Sequence, residues 1–153
     1  MKRLFNYCLL GFFILALNTG AAAGDKGTAE EATALVQKTI AYIKANGREK
    51  AITEINSTKG QFKDRDLYVV IYDLNGKAIA HGANAKMQGK ELIDLRDVDG
   101  KYFVKERVEI AKSKGKGWQD YKFVNPVTKQ VEPKSMYIEK YEDWIIGCGI
   151  YKG

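Results

Sequence analysis

The stretch Leu67-Tyr68-Val69-Val70-Ile71-Tyr72-Asp73-Leu74-Asn75-Gly76-Lys77-Ala78-Ile79-Ala80-His81-Gly82 decides the fold. Residues 67–72 form a short apolar run rich in β-branched and aromatic side chains, which is strand composition. Asp73-Leu74-Asn75-Gly76 supplies a turn, and residues 77–82 return as a second strand. If Leu74, Asn75 and Gly76 form a three-residue loop with Gly76 left-handed, Asp73 faces Lys77 and Val69 faces His81. The first strand is apolar on both faces and is therefore expected to be covered on both. His81, the only histidine in the chain, then shares a face with Ile79 and Val69, as plain core or as one wall of a pocket.

Working outward, the chain has 153 residues, 45% hydrophobic and 29% charged, which suits one globular domain behind a targeting segment. Lys2-Arg3 is a basic start, residues 4–17 are an apolar run interrupted by Asn6, and Ala21-Ala22-Ala23 offers a small-residue cleavage site. That apolar run is short for a membrane span. Residues 1–23 are read as a cleaved export leader, with an uncleaved inner-membrane anchor as the alternative, and residues 24–153 as the mature domain, periplasmic or secreted. Cleavage removes two of the 25 basic residues, leaving 23 against 19 acidic ones and a net charge of +4. Cys8 leaves too, so Cys148 has no partner for an intrachain disulfide and reads as a buried, inert thiol. The lysines are scattered and the chain reads as exported, which argues against nucleic acid.

Before the hairpin, Thr28 and Glu31 make a capping box, and Leu35, Val36, Ile40 and Ile43 recur at helical spacing up to Asn46-Gly47. A second helix is expected over residues 48–56, with Ala51, Ile52 and Ile55 as its stripe. After it, residues 83–100 read as an ordered excursion of loops and short turns, with apolar residues too frequent for a tether. Asp97, Asp99 and Gly100 lack the closing glutamate of a calcium loop and are read as a turn capping the next helix. That helix is marked by Phe103, Val104, Val108 and Ala111 and stops at Gly115.

The last third is β. Residues 118–124 alternate, with Gln119, Tyr121 and Phe123 on one face and Trp118, Asp120, Lys122 and Val124 on the other. Asn125-Pro126 starts a turn. Residues 134–141 set Lys134, Met136 and Ile138 against Ser135, Tyr137 and Tyr141. A final strand over residues 144–151 places Ile145, Gly147, Gly149 and Tyr151 on one face, where the glycines leave room for a helix or ligand.

This order of elements resembles the single Cache domain (type 2), an extracellular relative of the PAS sensor fold. The motifs that carry it are Tyr68 to Asp73 with Gly76, Ala80-His81-Gly82, Gly89-Lys90 with Leu92, and Asp97-x-Asp99-Gly100. They continue through Gly117-Trp118-Gln119-Asp120-Tyr121, Asn125-Pro126, Pro133-Lys134-Ser135-Met136-Tyr137 and Trp144 to Tyr151. The resemblance implies an α+β, PAS-like fold: an antiparallel sheet of five to six strands, N-terminal helices on one face, and the excursion roofing a ligand pocket on the other. It also implies a sensor module that binds a small metabolite, often a short carboxylate. The chain ends at Gly153 just after the last strand, so the expectation is a free-standing exported binding protein. An interaction module docking on a membrane receptor or sensor kinase, without its own ligand, is the alternative.

An anionic ligand needs cationic donors in an apolar pocket with aromatic groups around them. The candidates are His81, Lys134, Tyr121 and Tyr137, with Trp118, Phe123, Met87 and Met136 as walls. Lys134, just after Pro133, can reach inward over the sheet or end in solvent at a strand start. One histidine and one mature cysteine make no familiar catalytic or metal site, so no enzyme, cofactor or metal is expected.

Overall fold

The computed structural model describes residues 26–152, so the leader reading lies outside the described residues. Helix α1 (Ala29–Asn46) starts at the Thr28 capping box, with both reciprocal bonds to Glu31 made, and Gly47 at φ +86° ends it. Helix α2 (Arg48–Asn56) follows at once. The strands are β1 (Lys63–Asp64), β2 (Leu67–Asp73), β3 (Ala78–His81), β4 (Lys116–Val124), β5 (Val131–Tyr141) and β6 (Trp144–Tyr151). Between β3 and β4 lie a 3-10 turn (Ala85–Met87) and helix α3 (Phe103–Lys114). The two-residue β1 lies between α2 and the hairpin.

All strand pairs are antiparallel, in the order β1-β2-β6-β5-β4, with β3 also pairing β2. Strand β2 is buried along six consecutive residues, and its alternation explains why. Val69 and Ile71 pack with Cys148, Ile146 and the α1–α2 residues Val36, Ile40, Ile43 and Ile55. Tyr68, Val70 and Tyr72 pack with Met136, Ile138 and the α3 residues Phe103, Val104 and Val108. Two helical layers thus sandwich the sheet, as an apolar strand with no polar face demands.

The hairpin departs from the expected register by one residue, and the consequence is large. Gly76 is left-handed at φ +88° and Asp73 N–H donates to the Lys77 carbonyl, so the three-residue loop forms. Beyond it, Tyr72 pairs with Ala78 but Ile71 pairs with Ala80, leaving Ile79 as a bulge. A single extra residue flips every later side chain. His81 therefore faces Val70, not Val69; Ile79 packs on the α1–α2 side, while the His81 ring stacks 5.3 Å from Tyr68 on the α3 side.

Two further expectations are corrected. The space over the glycines of β6 is already taken: a Cβ on Gly147 would lie 2.9 Å from Met136 Sδ, and one on Gly149 2.6 Å from Lys134 Cε, so β5 side chains fill it. Asp97 does not cap α3, whose N-cap is Tyr102 without a side-chain bond. Its Oδ1 instead accepts the backbone N–H groups of Asp99 and Lys101, and its Oδ2 accepts that of Lys122 at 3.0 Å. That bond ties the excursion to β4.

Candidate functional site

On the α3 face, the end of β3, the start of the excursion and the β4–β5 turn enclose a cavity of about 330 Å³. This is the lower end of the range for small-ligand pockets, roughly 300–1,000 Å³. Its wall is mostly apolar, from Tyr68, Ala83, Met87, Phe123, Val124 and Pro126, with His81, Asn84 and Lys129 as the polar members. The backbone positions the histidine firmly. Its N–H donates to Asn56 Oδ1 at the end of α2, and Asn56 Nδ2 donates to Gln88 in the excursion. His81 Nδ1 accepts the Asn84 N–H at 3.1 Å, so the ring proton sits on Nε2. Burial, then the charges of Lys134 and Arg107, push its pKa down to about 3, and the ring is neutral.

Beside this cavity lies Lys134, the fourth residue of β5 and 1% exposed, so the solvated strand-start reading does not describe it. Its register partners are Tyr121 on β4 and Tyr151 on β6. The stem lies over Gly149, and Nζ sits 3.9 Å from the Tyr68 ring centre and 4.5 Å from that of Tyr151. Lys134 Nζ donates to Tyr151 Oη at 3.2 Å, and Tyr151 O–H donates to the Val124 carbonyl at 2.8 Å. With that proton committed, the 3.1 Å contact between the Tyr68 and Tyr151 hydroxyls has Tyr68 as its donor. Neither phenol keeps a proton for a ligand in this arrangement. The amine N–H groups of Lys134 and the Nε2–H of His81 remain. No carboxylate lies within ion-pair distance of Lys134 among the described residues, and burial lowers its pKa to about 7.

A second buried cation comes from α3. Arg107, 1% exposed, stacks its guanidinium over Tyr72 at 4.8 Å and near Tyr121 and Phe103 at 5.4 and 5.5 Å. Its Nε donates to Gln119 Oε1 at 3.3 Å, while Nη2 is buried without a hydrogen-bond partner. A buried guanidinium nitrogen with no partner among the described residues is a costly feature. The sequence did carry a signal for it: Arg107 falls on the same helical stripe as Phe103, Val104, Val108 and Ala111, where a charge is out of place.

Of the residues singled out from sequence, the structure brings His81, Phe123 and Met87 to the cavity wall. Lys134, Tyr121 and Met136 lie on the same face beneath it: Tyr121 stacks on Phe103 at 4.6 Å and its O–H points to Met136 Sδ at 3.8 Å. Tyr137 and Trp118 do not join them. Tyr137 is on the α1–α2 face with its O–H donating to Glu139, and Trp118 packs 5.5 Å from it, 42% exposed beside the start of α1. Their strands alternate, so neighbours of Lys134 and Tyr121 at odd spacing must face away. Among the described residues, no group of three or more His, Cys, Asp or Glu is placed to hold a metal.

A family model described as single Cache domain 2 matches residues 16–153. The methyl-accepting chemotaxis protein McpP of Pseudomonas putida is 36% identical over 90 residues, 58% of this chain and 16% of that protein. The sensor histidine kinase MctS of Rhizobium johnstonii is 32% identical over 89 residues, 57% of this chain and 19% of that protein. The matched stretch thus spans less than a fifth of either relative. Among solved structures, a methyl-accepting chemotaxis protein from Vibrio parahaemolyticus superposes with a TM-score of 0.70 at 25% identity, covering 80% of this chain and 86% of that one. A second, described as the structural basis for carboxylic acid recognition by a Cache chemosensory domain, gives a TM-score of 0.69 at 27% identity, covering 81% and 92%.

Proposed function

The chain belongs to the single Cache domain 2 family, and we propose that it is an exported sensor module binding a short organic acid on the α3 face of its sheet. The observation that carries this reading is Lys134: buried, ringed by tyrosines, and without a carboxylate in ion-pair distance among the described residues. Arg107, with Nη2 unpartnered, and the Nε2–H of His81 add donors around the same region. A carboxylate supplies the charge and the acceptors that these groups lack. The apolar wall of Met87, Phe123 and Val124 suits a short aliphatic remainder. The likeness to a carboxylic-acid-recognising Cache domain supports the ligand class. In this reading residues 1–23 direct export, residues 24–153 form the module, and it reports to a chemoreceptor- or kinase-type partner on the outer side of the membrane.

A thermal-shift screen of C2–C4 carboxylates, amino acids and amines tests it. A ligand at about 100 times its dissociation constant adds roughly 2.7 kcal/mol of stability. At least one short carboxylate is expected to raise the melting temperature. A flat response to the whole set replaces this reading with a docking module that has no small-molecule ligand.

A further inference from the structure

The organic-acid reading leaves open in which charge state Lys134 waits for its ligand, and the surroundings of its Nζ answer this. From β2 it meets the Tyr68 ring; from β6, Tyr151 and, through space, the Cys148 thiol. From β4 it has Tyr121 as register partner; from α3 comes the positive field of Arg107; from β3 comes His81. Asp66, between β1 and β2, acts on it through space but makes no ion pair. Burial holds the three phenols protonated and pushes the Cys148 thiol up to about 12, so none of them is an anion near neutral pH. Of the full charges that act on Lys134, Arg107 is a second cation and the Asp66 carboxylate stands outside ion-pair distance. An ammonium here is out of water and has no ion-pair partner among the described residues, which favours losing the proton.

Resting on the organic-acid reading, we propose that the empty site holds Lys134 largely as the neutral amine above neutral pH, and that the acid binds together with one proton from solvent. The proton adds to the Nζ lone pair, no ligand bond breaks, and the product is an ammonium–carboxylate pair in the tyrosine pocket. The burial-lowered pKa of about 7 agrees with this geometry. A bound carboxylate stabilises the ammonium, so its pKa rises in the complex and affinity is linked to pH. Affinity is then flat below neutrality and weakens by up to about tenfold per pH unit above it.

Two measurements test this on the wild-type domain. The first is calorimetric titration with acetate, propionate and butyrate at about pH 8, in buffers of different ionisation enthalpy, repeated across about pH 6–9. Uptake of close to one proton and the tenfold-per-unit weakening are expected. Binding with no proton uptake and a pH-independent Kd overturns the proposal while leaving the organic-acid reading intact. Absence of binding by all three acids at every pH counts against that reading instead. The second measurement needs no ligand: in protein carrying 13Cε-labelled lysine, one resonance, missing in Lys134→Met, should titrate near neutrality. A Lys134 resonance that stays ammonium-like to about pH 9 overturns the proposal.

Discussion

Lys134 Nζ lies 3.9 Å from the centre of the Tyr68 ring, and that same ring forms part of the cavity wall. The tyrosine thus joins the buried amine to the space a ligand can enter. Gly149 permits this, because a Cβ there would stand 2.6 Å from Lys134 Cε and 2.8 Å from the Ser135 carbonyl. Amine, aromatic box and cavity are one construction held by three neighbouring strands.

Replacing Lys134 by Met should abolish the melting-temperature rise produced by a short carboxylate. It should not weaken the empty domain, because an uncompensated buried amine gives way to an apolar chain of similar length. Melting of the ligand-free variant at or above the wild-type temperature, with no ligand shift, is the expected pair of results. An unchanged Kd would remove Lys134 from the site.

Substituting Arg107 with Met should lower carboxylate affinity by about 10–100-fold, on the order of 1.4–2.8 kcal/mol. The stem would still fill the space between Tyr72 and Phe103, so the circular dichroism spectrum should match the wild type. Calorimetry on the folded variant decides it; affinity equal to wild type would make Arg107 purely structural.

Acid should destabilise the domain through His81. Its folded pKa, about 3, lies below the unfolded value of 6.5, so the unfolded chain takes up the proton first. The stability is complete above about pH 6.5 and declines as pH falls towards about 3. Urea unfolding at pH 6.5 and 4.5 should show this loss in the wild type, on the order of 2–3 kcal/mol, and not in His81→Gln. Equal losses in both proteins would assign the acid sensitivity elsewhere.

Gly149→Ala should cost about 1–3 kcal/mol, because the new methyl meets the backbone of Ser135 and Met136 as well as the lysine stem. The same change should weaken acid binding by pushing Lys134 out of place. Urea midpoints and calorimetry on one preparation would separate the two effects.

Trp118→Ala and Tyr137→Phe serve as controls, since both side chains lie on the α1–α2 side of the sheet. Ligand affinity should be unchanged in each. Loss of the Tyr137–Glu139 hydrogen bond should cost about 0.5–1.5 kcal/mol of stability. A changed Kd in either variant would mean the site extends through the sheet.

The sequence by itself determined the elements and their layering. Capping at Thr28, the stops at Gly47 and Gly115 and the alternation in β4 and β5 are local signals, written in residues a few positions apart. The doubly apolar β2 required a layer on each face, and both layers are present. Alternation also set Tyr137 apart from Lys134, although residue type alone had made both look like ligand contacts.

Only the tertiary structure decided which face His81 and the buried cations share. The bulge at Ile79 turns His81 towards Tyr68, and no local signal in Lys77-Ala78-Ile79-Ala80 announces it, because a bulge is fixed by pairing with β2 and by the excursion packed beyond it. Arg107 showed as an odd charge on an apolar stripe, but its orphaned nitrogen depends on Tyr72, Phe103 and Tyr121 arriving from distant strands and its own helix. Lys134 is the same case: a lysine after a proline is ordinary in sequence. Without a carboxylate in ion-pair distance among the described residues, and with Gly149 opening the space beneath it, it becomes a buried amine suited to an acid. Burial and the absence of a counter-ion belong to the assembled environment, and local sequence does not encode them.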